Sequence, residues 1–166
     1  MIRYFAPALT VFCLTGAAAT ETHAQIALRA GGGLYVEDKE PGWHGSIILP
    51  FGSKPAGVML AGEYYEKDGA ITVPVSIRGL YKIPLGGNLR VYGGAGSGLI
   101  YTKEESDAEL IDGSTTKVLF TAVAGMNLKM LGPFRFFGEA TLDRGVAEGT
   151  ESKYGAKVGI SLTFTD

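Results

Sequence analysis

The sequence predicts an all-β chain: an eight-stranded antiparallel up-and-down transmembrane β-barrel behind an N-terminal signal peptide. Three observations predict it. Beyond the first two dozen residues no apolar pattern of period 3.6 persists, whereas period-2 alternation runs throughout, which is the strand signal. That alternation falls into eight segments, each long enough to cross a bilayer as a tilted strand of about 9–11 residues. Aromatic residues gather at both ends of the apolar strand faces, where membrane interfaces select them.

The chain opens on an export signal. Arg3 supplies a positive start, residues 5–19 form a short apolar stretch, and Thr22-His23-Ala24 places small residues at the −3 and −1 positions of a cut before Gln25. A cut after Ala19 is the alternative. The expected division is therefore 1–24 as a cleaved signal peptide and 25–166 as one barrel domain. With 166 residues the chain has room for one domain and hardly for two. The single cysteine, Cys13, lies inside the signal, so a disulfide framework and a Cys-based metal site are excluded. Thr10-Val11-Phe12 before it lack the small residues of a lipoprotein cleavage site. A net charge of −2 without any Lys/Arg-rich run excludes a nucleic-acid footprint.

The strands follow in order. The first, 25–36, gathers Ile26, Leu28, Leu34 and Val36 on one face with Arg29 opposite. The second, 43–51, runs from Trp43 to Phe51, with His44 and Ser46 on the other face. The third, 57–65, carries Tyr64 outward and Glu63 on the polar side. The fourth, 71–81, alternates Ile71, Val73, Val75, Ile77, Gly79 and Tyr81 against Thr72, Pro74, Ser76, Arg78 and Leu80. The fifth, 89–101, is glycine-rich between Arg90 and Tyr101, and the sixth is 116–128. The seventh, 134–143, sets Phe134, Phe136, Ala140 and Leu142 against Arg135, Glu139 and Asp143. The eighth, 153–164, sets Tyr154, Ala156, Val158, Ile160, Leu162 and Phe164 against Gly155, Lys157, Gly159, Ser161 and Thr163.

Connections alternate too. Polar segments follow strands one, three, five and seven, and Gly/Pro-rich turns follow strands two, four and six, the longest of them 82–88. Loops at one end and tight turns at the other match a barrel whose loops face outside and whose turns face the periplasm. Pro74 removes a ladder hydrogen bond within a closed sheet, so a bulge or kink is expected there.

Alternation alone suits two barrels: a soluble one with its apolar face inside around a ligand, or a membrane one with that face on lipid. Aromatic placement favours the membrane. Trp43, Tyr64, Tyr101 and Tyr154 fall at loop ends of the apolar face, and Phe51, Tyr81, Phe134 and Phe164 at turn ends. The expected setting is the Gram-negative outer membrane, with lipid as the main partner of this girdle.

The charges share the other face: Arg29, Glu63, Arg78, Arg90, Arg135, Glu139, Asp143 and Lys157. A lipid-facing Arg or Lys at the midplane costs about 2–4 kcal/mol, so parity sends them inward. They are expected to fill the lumen as a salt-bridged plug. Arg78, Arg90 and Arg135 are read as turn-side cations without an obvious acidic partner, which suggests, as an alternative, that they hold an anion or line a narrow anion or small-solute channel.

Other motifs carry less. Gly93-Gly94-Ala95-Gly96-Ser97-Gly98 admits no G-x-G-x-x-G and leads into strand-like Leu99-Ile100-Tyr101, so it is read as relief of crowding rather than a phosphate loop. The loop 103–115 holds Glu104, Glu105, Asp107, Glu109 and Asp112 without the spacing of a calcium loop. It is the expected contact for an external ligand. No cofactor or metal is expected, and a monomer is.

On this face pattern and aromatic banding, the mature chain resembles the small OmpX-like and opacity-protein-like outer-membrane barrels. The resemblance is architectural rather than motif-based. It implies a non-enzymatic structural or surface-interaction role, in envelope integrity or adhesion. It also implies that the last strand, closing on Phe164 after Tyr154, Val158, Ile160 and Leu162, is read by the barrel assembly machinery. The extra Thr165-Asp166 depart from that ending. His44-Gly45-Ser46 is similar to the His-x-Ser of outer-membrane lipid A deacylases. Both side chains point to the lumen by parity, however, and no acidic residue follows at a suitable spacing.

Overall fold

The computed structural model describes residues 26–37, 39–51, 55–67, 69–104, 113–146 and 152–164. The expected signal peptide and the middle of the acidic loop, 105–112, lie outside them.

Eight strands follow one another: β1 (Ile26–Tyr35), β2 (Glu40–Pro50), β3 (Ala56–Lys67), β4 (Ala70–Gly86), β5 (Leu89–Glu104), β6 (Gly113–Lys129), β7 (Phe134–Gly145) and β8 (Ser152–Phe164). Each pairs antiparallel with its neighbours in sequence, and β8 pairs back onto β1 from Phe164–Ile26 to Gly155–Tyr35. The sheet is a closed barrel, which leaves no edge strand with unpaired backbone groups.

The strands differ in length from the sequence expectation in an instructive way. β4, expected over 71–81, continues to Gly86, and the expected turn 82–88 shrinks to Gly87-Asn88. Positive φ at Gly86 and Gly87 (96° and 57°) makes that tight reversal possible. Lys82 therefore belongs to a strand and not to a turn. β5 and β6 likewise run into the expected long loop, which shortens to 105–112. Gly and Pro mark where a chain is able to turn; cross-strand pairing decides where it does.

Pro74 gives no bulge, but it does interrupt the ladder on one side. Pairing of β3 with β4 stays in register from Gly62–Val75 to Tyr65–Thr72, with the two intervening partners left out of the ladder. On the β5 side Pro74 pairs with Ile100 without a shift. The missing N–H therefore interrupts one ladder locally and leaves its register intact. The irregularity of β4 lies at Pro84/Gly86, beside the turn.

The two faces separate as in a transmembrane barrel. Ile77, Leu99, Val118, Val158 and Ile160 are exposed on the outside, whereas Arg29, Glu63, Arg78, Glu139 and Lys157 are buried inside. This orientation overturns the soluble ligand barrel, which needs the apolar face inward. All eight girdle aromatics are exposed, from Tyr64 at 38% to Trp43 at 73%. Trp43 and Tyr64 are direct cross-strand partners at the loop end.

Glycines decide which large side chains fit inside. A Cβ at Gly125 would collide with the ring of Tyr92, and one at Gly42 with the ring of Tyr65. A Cβ at Gly96 would strike the backbone of Ile77 and Arg78 on the adjacent strand. The inward glycines are thus the space into which neighbouring strands send bulky side chains.

A Gly125→Val variant should lose about 1–3 kcal/mol of unfolding free energy, the usual range for an overpacked core. Urea titration of the protein folded into detergent or liposomes measures this, and an unchanged midpoint would refute the space-filling role of Gly125.

Candidate functional site

The lumen is the only place where charged side chains of the described residues meet in numbers, and it is built in layers. Inward parity comes from the closed sheet: Arg29 on β1, His44 and Ser46 on β2, Glu63 on β3, Arg78 on β4, Glu139 on β7 and Lys157 on β8 all point to the axis. Their heights are set by register, which pairs His44 with Glu63 and Glu139 with Lys157.

Two carboxylates organise the centre. Glu63 accepts from Arg78 Nη2 at 3.0 Å, from the hydroxyl of Tyr65 at 2.8 Å, and from Lys157 Nζ. Glu139 accepts from Arg29 Nη1 at 3.2 Å, Arg78 Nη1 at 3.3 Å and the Tyr92 hydroxyl at 2.8 Å. Arg78 joins the two, with none of its surface exposed. Arg29 also donates to Asn127 Oδ1 at 2.7 Å and to the Tyr92 hydroxyl at 2.9 Å. Its guanidinium lies between the rings of Tyr92 and Phe137, 4.7 and 4.8 Å from their centroids. Buried charge is tolerable only when it is paired and hydrogen-bonded, as the carboxylates and terminal guanidinium nitrogens are here.

Toward the loops, Tyr35 donates to Asp143 at 2.9 Å, and its ring packs 4.2 Å from that of Tyr65. Lys153 reaches Glu40 at 3.4 Å above them. Toward the turns, Ile48, Met59, Ala61, Leu80, Tyr92 and Val123 form an apolar collar. Below the collar a small cleft opens among Lys82, Arg90 and Arg135.

The eight charges expected in the lumen therefore divide. Arg29, Glu63, Arg78, Glu139 and Lys157 form one connected network, and Asp143 joins Tyr35 nearer the loops. Arg90 and Arg135 stand apart at the turn end. The expectation that Arg78 lacks an acidic partner is wrong: Glu63 and Glu139 both hold it. Those partners lie 15 and 61 residues away in sequence; the pairing of β3 with β4 brings the first to Arg78, and closure of the barrel the second. Sequence reading missed Tyr35, Tyr65, Tyr92, Asn127 and Lys82 as lumen residues. Strand parity was the available signal, since each shares it with an inward charge on its own strand or its neighbour. The aromatic ones were overlooked because a polar face was expected to carry polar residues.

His44-Gly45-Ser46 also changes meaning. His44 Nε2 lies 3.1 Å from Ser46 Oγ, and Nδ1 lies 3.7 Å from Glu63 Oε1. An acidic residue does stand opposite the histidine, supplied by cross-strand register rather than by sequence spacing. The arrangement has the order of a nucleophile, a base and an orienting carboxylate. Yet all three side chains are buried, and the Glu63 carboxylate is committed to Arg78 and Lys157. Ser46 lies beneath this network at 7% exposure. Among the described residues, no group of His, Cys, Asp and Glu is placed to hold a metal ion.

Removing one carboxylate of the network strands the cations around it. Glu63→Gln should destabilise the barrel by about 3–5 kcal/mol, the range for breaking a buried pair from one side. Adding Lys157→Met should recover part of that loss. Chemical unfolding of the single and double variants measures both, and equal stability of Glu63→Gln and the parent would contradict the pairing.

No protein-family model and no curated protein sequence matches the chain. Solved structures do. The N-terminal β-barrel domain of Pseudomonas aeruginosa OprF superposes with a TM-score of 0.67 at 19% identity, covering 87% of this chain and 100% of that one. The outer membrane protein OprG from Pseudomonas aeruginosa gives 0.64 at 14% identity, covering 87% and 98%. Neisserial surface protein A gives 0.61 at 10% identity, covering 89% and 100%. At these identities the likeness is one of architecture, and it agrees with the strand count, closure and face pattern described above: the chain has the fold of the small eight-stranded outer-membrane β-barrels.

Proposed function

We propose that the chain is a Gram-negative outer-membrane barrel with a structural or surface-interaction role, in envelope integrity or adhesion, and without catalytic chemistry of its own. One observation carries this reading. The outer face is an aliphatic band bracketed by Trp43, Tyr64, Tyr101 and Tyr154 at one end and Phe51, Tyr81, Phe134 and Phe164 at the other, while the buried charges sit in the lumen. A surface of that kind is stable against lipid and costly against water. The superposable OprF domain, OprG and Neisserial surface protein A support the setting, and the last is named as a surface protein.

Lipid is the partner of the girdle, and the last strand, ending in Phe164, is the segment offered to the assembly machinery. An external ligand would meet the loop 103–115, of which 105–112 lie outside the described residues. The barrel works as a monomer in this reading.

A channel is the second reading, favoured by the basic cleft at the turn end. The plug of Arg29, Glu139, Arg78, Glu63 and Lys157 argues against it, because its side chains are at most 1% exposed. The hydrolase reading has the Ser46–His44–Glu63 line in its favour and the same plug against it.

Val158 lies near the middle of β8 on the outside. Val158→Arg should cost about 2–4 kcal/mol of folding free energy in liposomes, the midplane value for a lipid-facing cation. Recovery of the protein in the soluble periplasmic fraction would sink the membrane reading. Purified protein should be silent in planar bilayers, and steady conductance would move the assignment to the channel. Loss of a lipid deacylation in Ser46→Ala would move it to the enzyme.

A further inference from the structure

A cleft opens at the turn end, where Lys82, Arg90 and Arg135 lie outside the lumen plug. It measures about 40 Å³ and is lined by Arg29, Lys82, Arg90 and Arg135, with Asn127, Ser161 and Thr163 among the remaining wall. One water needs roughly 10–15 Å³ on this scale, so the space suits about three waters or one small oxoanion.

Its electrostatics are one-sided. No Asp or Glu lines it among the described residues. The charges of Arg29, Arg90 and Arg135 all bear on Lys82. Lys129 stands directly opposite Arg135 in the β6–β7 ladder, a like-charge pair that destabilises a sheet. Four cations from β4, β5, β6 and β7 are thus gathered at one mouth at a cost in repulsion.

Donors remain unspent here. Arg135 commits Nε to Thr163 Oγ1 at 3.2 Å. Arg29 commits both terminal nitrogens within the plug, which leaves Lys82, Arg90 and the terminal nitrogens of Arg135 as the donors of the cleft. Planar guanidinium groups, a lysine and neutral hydroxyl and amide groups are the donor set that phosphate-type oxoanions select.

We propose that this turn-side cleft is a blind binding site for a phosphate-type oxoanion, held by Lys82, Arg90 and Arg135. The plug above it prevents the anion from continuing through the barrel. Binding offsets the repulsion among the cations. The same chemistry suits a free phosphate or the phosphate of a lipid headgroup; the inward direction of all three side chains favours the free anion.

The test is isothermal titration of inorganic phosphate into the folded full barrel in phosphatidylcholine nanodiscs, with chloride at matched ionic strength as control. Saturable phosphate binding is expected. Arg90→Gln and Arg135→Gln should each weaken it about tenfold, the loss of one charge-assisted contact. The triple variant with Lys82→Gln should abolish it. Without phosphate, the triple variant should unfold at the same or higher urea concentration than the parent, a result that a purely structural role for the cations would not give. Repeating the titration in nanodiscs containing phosphatidylglycerol separates the two sources. Binding that persists there assigns the free anion, and binding lost only there assigns the headgroup. An equal response to chloride, or phosphate binding retained by the triple variant, would overturn the site.

Discussion

An eight-stranded barrel encloses a space just wide enough for its own side chains, and that one constraint governs the rest of this molecule. Every second residue of every strand must go inward, so the lumen holds whatever the alternation puts there. Here it holds arginine, lysine and glutamate, and no water-filled channel remains to solvate them. The Arg29–Glu139–Arg78–Glu63–Lys157 network is the consequence. Each carboxylate accepts from several donors, because a buried charge left short of partners is far costlier than a satisfied one.

The same constraint explains the glycines and the inward aromatics together. Tyr92 fills the space over Gly125, and Tyr65 the space over Gly42. Their hydroxyls then donate to Glu139 and Glu63. Bulk and hydrogen bonding are supplied by one residue type, and glycine on the neighbouring strand makes room for it. On the outside the demands are reversed. Nothing there needs a partner, and the aliphatic band and its aromatic borders are sorted only by depth against the surrounding medium.

The constraint relaxes at one end of the barrel. At the turn end the strands stop, the lumen opens, and Lys82, Arg90 and Arg135 face a cleft instead of a carboxylate. Buried Ser46 and His44 illustrate the opposite case. Their geometry has the order of general-base activation, and the packed lumen that holds them in place also buries them.

Strand number, the direction of each face and the aromatic bands were legible in the sequence, because alternation of period 2 is a local property that survives any register. Ile77 and Val158 could be sent outward, and Arg29 and Glu139 inward, without knowing a single contact. Who meets whom was not legible. Arg78 finds Glu139 across 61 positions, and His44 finds Glu63 opposite it, only because the register of the ladders and the closure of β8 onto β1 place them at one height. Lys82 looked like a turn residue until β4 proved to extend to Gly86, and Pro74 looked like a bulge until both neighbours kept their register around it. Parity along a strand belongs to the sequence. Height along the barrel axis belongs to hydrogen bonds between strands, and so only the tertiary structure decided which charges meet a carboxylate and which face the cleft at the turn end.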